Sequence, residues 1–247
     1  MSGFDPYADR GSYRTRHAAK DLTYFRVSVD ETDLHIGAKR DLSREALEAA
    51  LEARRQVLDE IEARPRFRTS LEPLRRHGTE PPLIERMLSA GERCAVGPMA
   101  AVAGAIAEAV GRALLPLSRE VIVENGGDIF LYGSRERHIA VYAGENPLSG
   151  LLAVVVHPTD GLGVCTSSGT VGHSLSLGRA DAALVIAKDC ALADAAATRL
   201  GNLASAEGEI DEALETVCAI PGVDGALVIV GDRLGVKGQI ELKTIGA

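Results

Sequence analysis

The chain has no tryptophan, and aromatic residues make up 4% of its 247 positions. Proteins that bind single-stranded nucleic acid stack bases on aromatic platforms, and little is present to build one. Positive charge is also in deficit. Lys and Arg number 27 against 35 Asp and Glu, a formal net charge of −8, and such a field repels phosphate backbones. No nucleic-acid partner is expected. The four cysteines, Cys94, Cys165, Cys190 and Cys218, are far apart and form no CxxC pair, so reduced thiols in a reducing compartment are the simplest expectation. No apolar run approaches the ~20 residues of a membrane-spanning helix, and residues 1–30 lack the apolar core of a secretory signal. The sequence therefore predicts a cytoplasmic protein with no membrane partner.

What the chain does have is enough apolar residue, 46% of the total, to bury a core without disulfide or metal staples. Residues 1–20 are polar, carry Gly3, Pro6 and Gly11, and suit a flexible leader. Residues 21–247 then suit a single domain or two intimate lobes. Alternation around Tyr24–Val29 and again to Ile36 predicts an early strand pair. Helical spacing follows from Ser43, a candidate N-cap, through Ala46, Leu47, Ala50, Leu51, Val57, Leu58 and Ile61, and Pro65 ends it. Arg64 to Pro82 suits a long basic connection, either a solvated loop or a phosphate-binding face. Small residues at nearly every position after Pro98 predict a central helix with close neighbours, stopped by Pro116, and that helix could equally serve a homo-oligomer interface. Short apolar or alternating runs separated by Gly, Pro and Asn then mark a sheet, two helices follow, and the chain closes on strands. The fold class expected is α+β, with mixed or antiparallel sheets packed with helices.

Three segments carry candidate chemistry. In VIVENGGDIF an apolar strand is interrupted by Glu124, Asn125, Gly126, Gly127 and Asp128. The glycines allow positive φ and bring backbone amides close to a ligand, while the flanking side chains supply acceptors and charge. A plain Asn-Gly hairpin turn is the alternative. In VCTSSGTVGHS, Thr166, Ser167, Ser168 and Gly169 follow a strand and could cradle an anion, although neither a Walker loop nor a GxGxxG fingerprint is spelled out. A loop that hydrogen-bonds only to itself is the other possibility. In DCALADAAATRLGN, Asp194 and Thr198 share one helix face. They are hard oxygen donors suited to Mg2+, or else Asp194 complements its own helix dipole and Thr198 back-bonds to a carbonyl. His173 is a candidate acid or base and Cys165 a candidate thiolate nucleophile. His138 and His157 sit at strand edges as incidental residues, and Asp181 either caps a strand or joins the site.

Taken in order, VENGGDI, CTSSGT and ALADAAATRLGN resemble the ApbE-like flavin-transferase superfamily, with its GGD-type turn, TSG loop and Asp-Ala-x-x-Thr helix. The fuller wording VGPMAAVAGAIAE, YAGENPLSG and GVCTSSGTVGHSLSLGRADA is similar to an uncharacterised family related to those transferases, and the likeness spans about residues 95 to 202. It implies an ApbE-like fold that binds FAD, with Mg2+ assisting transfer of the FMN moiety to a threonine of a target protein. Asp194 and Thr198 would hold the metal, Gly126-Gly127-Asp128 would contact the cofactor with Glu124 and Asn125 beside them, and Thr166–Gly169 would support the diphosphate. The transferases continue with His-x-x-Asp-Pro-x-Thr-Gly, whereas this chain has GHSLSLGRADA, in which only His173 corresponds. That departure leaves two alternatives to the transferase: a non-catalytic flavin- or diphosphate-binding accessory protein, and an enzyme that handles sulfur or acyl groups on Cys165.

Overall fold

The computed structural model describes residues 19–167, 180–204 and 209–245. The chain opens on the hairpin β1 (Thr23–Val29) and β2 (Thr32–Ala38), turning on Asp30 and Glu31. Asp30 takes φ 48°, a left-handed value that Asp tolerates better than most residues. α1 (Ser43–Ala63) follows. Leu42 rather than Ser43 stands at its N-cap position, and the Asp41 carboxylate just before it accepts from the Ser43 N–H at 2.8 Å and from the Ser43 hydroxyl. Its apolar residues also divide differently from expectation. Ala46, Ala50, Ala53 and Val57 face the core, while Leu47, Leu51 and Leu58 point outward, because a helix pressed close to a sheet has room for alanines and not for leucines.

A single helical turn, α2 (Arg66–Thr69), buries Phe67. Two arginines of the basic connection are engaged. Arg64 pairs with Glu60 and donates to the Arg75 carbonyl, and Arg76 reaches Glu85 and Glu92 of the next helix. That helix, α3 (Pro82–Cys94), starts within the stretch whose prolines suggest only loop. Pro82 occupies its first turn, where a missing N–H is harmless. A 3-10 turn at Pro98–Ala101 leads into α4 (Val102–Leu114), the small-residue helix.

The strands are β3 (Val121–Asn125), β4 (Asp128–Gly133), β5 (Arg137–Ala140), β6 (Leu152–Val156), β7 (Thr159–Ser167) and β8 (Ala182–Ala187). After them come α5 (Cys190–Leu203), α6 (Ile210–Cys218), β9 (Val223–Val230), β10 (Arg233–Gly238) and β11 (Glu241–Thr244). Eight strands form one sheet in the order β1-β2-β3-β4-β7-β8-β9-β10, and β11-β6-β5 form a second. All the ladders among the described residues are antiparallel. The helices cover one face of the large sheet over the main core, and the small sheet covers the other face over a second core that includes Leu131, Val154, Leu184 and Leu227. β8 is buried along its whole length, which accounts for its unbroken apolar sequence.

Two glycines set α5 in place. A Cβ on Gly104 would lie 2.9 Å from the Asp194 Cβ, and one on Gly163 would lie 2.6 Å from the Cys190 Cα. α5 therefore packs backbone-close against both α4 and β7, which brings Asp194 to the end of the sheet where β3 turns into β4. Among the described residues no single helix is long and apolar enough to cross a membrane.

Candidate functional site

Asn125 and Asp128 pair across a two-residue turn in which Gly126 has φ 68° and Gly127 φ 109°. Positive φ at both central positions is the hairpin geometry that matches strand twist. The Asn-Gly turn is thus real, and the polar side chains around it still need partners. Alternation along the strands sends Asn125 and Asp128 toward the helices and Glu124 toward the second core. Asn125 donates from Nδ2 to the Ala103 carbonyl at 3.1 Å, pinning the turn to the start of α4. Glu124 Oε1 accepts from the Gly127 N–H at 3.1 Å and braces the turn from its other side.

Asp128 lies opposite Cys165 on β7. Its carboxyl receives the Cys165 thiol and the Thr166 backbone N–H, yet its Oδ1 is buried and has no partner among the described residues. Ser167, two positions beyond Cys165 on the same face of β7, also has a buried hydroxyl without a partner among the described residues. Asp128 is 7% exposed and Ser167 6%. A buried polar atom left unmatched is destabilising by about 1–3 kcal/mol, so two such atoms at one end of a sheet mark a place built for something else.

Asp194 enters from α5. Asp189, which the sequence does not single out as functional, caps that helix by accepting from the Leu192 N–H at 2.9 Å. Asp194 lies in the second turn and does not serve its own helix end. Its Oδ2 accepts from the Gly104 N–H at 2.8 Å, with the Ala103 N–H alongside, so it closes the amino end of α4 instead. Thr198 follows one turn later on the same face, half-buried.

These groups perturb one another. Burial pushes the Asp194 carboxyl up to about 7 even though two backbone N–H groups favour its charged form. Asp128 is raised well above the usual carboxylate range, first by burial, then by the charges of Asp194 and Glu124. Asp128 is buried and Asp194 half-buried, and their desolvation disfavours full charge on both at once without a counter-ion. Among the described residues no three His, Cys, Asp or Glu side chains converge to chelate a metal by themselves. Asp128, Asp194 and the hydroxyl of Thr198 are an incomplete set of hard oxygen donors. That fits Mg2+, which keeps waters or phosphate oxygens in its shell, better than an ion needing a full protein cage.

Cys165 is fully buried, its sulfur 3.6 Å from the Cys190 sulfur and 3.5 Å from the Cys190 carbonyl oxygen. Burial, then the Cys190 thiol, raises it well above the ordinary thiol range, the reverse of what a thiolate nucleophile needs. Thr166 lies opposite Leu184 of the second core, so its side chain leaves β7 on the face away from Asp194. Ser168, Gly169 and His173 lie outside the described residues. His138 pairs with Glu136 and His157 with Glu241 at exposed positions. The Asp181 carboxylate accepts from Asn146 Nδ2 at 3.0 Å and from the Gly231 N–H at 2.9 Å, tying the loop after β5 to the β9–β10 turn.

Residues 14–242 match the family described as AbpE bacteria. The chain belongs to this family. Relatives include the UPF0280 protein of Methanosarcina acetivorans, 40% identical over 214 residues that span 85% of this chain and 84% of that protein. The UPF0280 protein of Methanococcus aeolicus is 37% identical over 226 residues, 89% of this chain and 91% of its own. Among solved structures, a mutant of the flavin transferase ApbE from Vibrio cholerae aligns with TM-score 0.57 at 14% identity, over 88% of this chain and 97% of that one. The ApbE protein of Thermotoga maritima aligns with TM-score 0.55 at 13% identity, over 88% and 96%. At these identities the likeness establishes the fold, and this family member has the ApbE-like α+β architecture that its three motifs suggest.

Proposed function

We propose that this protein binds a flavin nucleotide through its diphosphate, together with Mg2+, between the Gly126–Gly127 turn and α5, and that it carries out a flavin-transferase reaction there. The observation that carries this reading is the meeting of buried Asp128 from β4 and half-buried Asp194 from α5, two carboxyls raised by desolvation, beside an unmatched Asp128 oxygen and the unmatched Ser167 hydroxyl. A divalent cation would relieve both. Asp194 and Thr198 would hold it, with Asp128 facing it across the pocket. Bound there, Mg2+ supplies charge neutralisation and Lewis acidity at the diphosphate.

The chain's own residues do the rest. Gly126 and Gly127 let the backbone approach the ligand without side chains in the way. Asn125 and Asp194 both grip the first turn of α4, through the Ala103 carbonyl and the Gly104 N–H, so turn, helix end and metal-holding helix keep a fixed spacing. Ser167, with Ser168 and Gly169 after it in sequence, would support the phosphates. In transfer, the acceptor hydroxyl oxygen bonds to the FMN phosphorus as the bond to the AMP phosphate breaks, and the hydroxyl proton leaves to a base, for which His173 is the candidate.

The departure GHSLSLGRADA favours a second reading, in which the pocket binds flavin and transfers nothing. Equilibrium binding of FAD with and without Mg2+ tests the shared claim: Asp194→Ala and Thr198→Ala should abolish the Mg2+ dependence, and wild-type binding by both would refute the metal assignment. Release of AMP from FAD in the presence of acceptor proteins separates the two readings.

A further inference from the structure

We propose that Arg199 is the phosphate clamp of the flavin site, so that the site selects its ligand by a charged diphosphate and not by the flavin ring alone. This inference rests on the flavin and Mg2+ reading above and supplies the cation which that reading lacks.

α5 is sealed into the core along most of its length. Residues 190–193, 195–197, 200 and 201 are buried, and Asp194, Thr198, Arg199, Asn202 and Leu203 are half-buried. At about 100° per residue, Asp194, Thr198, Asn202 and Arg199 follow one another around the helix as a continuous polar band. The side on which α5 opens thus carries a carboxylate, a hydroxyl, an amide and a guanidinium, and it begins with the two residues assigned to the metal.

Arg199 is unlike the other half-buried arginines. Arg54 pairs with Asp30, Arg64 with Glu60, Arg86 with Glu108 and Arg137 with Glu120, as a charge taken partly out of water requires. Arg199 has no ion-pair partner among the described residues. Its charge and that of Asp194 both bear on the Cys94 thiol at the end of α3. Guanidinium and carboxylate therefore flank the same helix end without pairing with each other.

Charge balance gives the guanidinium a task. Mg2+ between Asp128 and Asp194 would cancel the two carboxylates, and the diphosphate of FAD then brings two further negative charges. The β3–β4 hairpin, the stretch from Pro98 to Gly104 that opens α4, β7 and α5 surround the site, and Arg199 is the one Lys or Arg in these described segments. A guanidinium presents a planar fork of donors to phosphate oxygens, and Arg together with Mg2+ stabilises a phosphoryl group in transfer. Because Arg199 directly follows Thr198, metal and guanidinium would grip the diphosphate from adjacent positions of one helix.

Fluorescence titration of the full chain with FAD and with riboflavin, at saturating Mg2+, tests the clamp. Wild-type protein should bind FAD saturably, and Arg199→Gln should weaken FAD at least about tenfold through loss of a charge-assisted contact. Arg199→Lys should recover part of that loss, and added NaCl should weaken FAD binding less in Arg199→Gln than in wild type. Riboflavin, which has the ring and no phosphate, should not distinguish Arg199→Gln from wild type. A smaller loss of FAD affinity, or a loss shared equally by riboflavin, would overturn the clamp and leave the flavin site standing. Failure of wild-type protein to bind FAD with Mg2+ would overturn the flavin reading and the clamp together.

Discussion

The Asp194 carboxylate accepts a hydrogen bond from the Gly104 N–H at 2.8 Å, so a side chain of α5 closes the amino end of α4 across ninety residues of sequence. The same carboxyl would hold the metal in the proposed site, and the two roles are separable. Loss of a helix cap destabilises by about 0.5–2 kcal/mol. Asp194→Ala should therefore lower the chemical-denaturation midpoint of the metal-free protein as well as Mg2+ affinity. Thr198→Ala, which removes a half-buried hydroxyl that caps no helix, should lower Mg2+ affinity with little change in midpoint. Equal loss of stability in both variants would argue that the helix face is structural only.

The carboxyl shifts predict a pH dependence of stability. Asp194 titrates near 3.8 when unfolded and at about 7 when folded. Below about pH 4 it is protonated in both states. As pH rises from there toward 7, the unfolded chain releases this proton while the folded chain keeps it, so the folded state loses stability. Asp128 is shifted in the same direction. Metal-free wild-type protein should therefore lose stability relative to Asp194→Asn across this interval, and Mg2+ should restore most of the loss above pH 7. Parallel stability curves for the two proteins would contradict the shift.

Burial governs the cysteines. Cys94, Cys165 and Cys190 are buried, whereas Cys218 is partly exposed. Brief treatment of the native protein with iodoacetamide at neutral pH should label Cys218 first, and Cys165 only after unfolding. Peptide mass mapping gives the order, and preferential labelling of Cys165 would revive its candidacy as a nucleophile.

Close packing around α5 leaves no space for a methyl group. Gly104→Ala would bring a Cβ to 2.9 Å from the Asp194 Cβ and into the Cys190 carbonyl. Overpacking of this kind destabilises by about 1–3 kcal/mol, and here it would also push Asp194 away from Asp128. Thermal unfolding and FAD titration of Gly104→Ala should both show a loss. A wild-type midpoint would mean that α5 is free to shift.

Much of this architecture is legible in local sequence, where periodicity and turn chemistry agree. The β1–β2 pair, the turn at Gly126-Gly127 and the small-residue helix after Pro98 all follow from pattern alone. α3 is hidden because Pro81-Pro82 prolongs an apparent loop, although Leu83, Ile84, Met87, Leu88, Gly91 and Cys94 carry a helical period and are buried. The site is legible as residue types and not as geometry. Glu124 and Thr166 belong to its motifs, but their side chains leave the sheet on the second-core face, a division that depends on strand register. Asp194 shows the same limit: its spacing from Thr198 is visible in sequence, while its partner Gly104 depends on how two helices cross.

In the proposed site a cation and a flavin diphosphate meet Asp128 and Asp194 at the end of the large sheet. Soaking crystals with FAD and Mn2+ and measuring anomalous scattering tests this directly. The prediction is a manganese peak bounded by Asp128, Asp194 and Thr198, with diphosphate density toward the Gly126–Gly127 turn. No peak there, or flavin density at another place on the molecule, would contradict it.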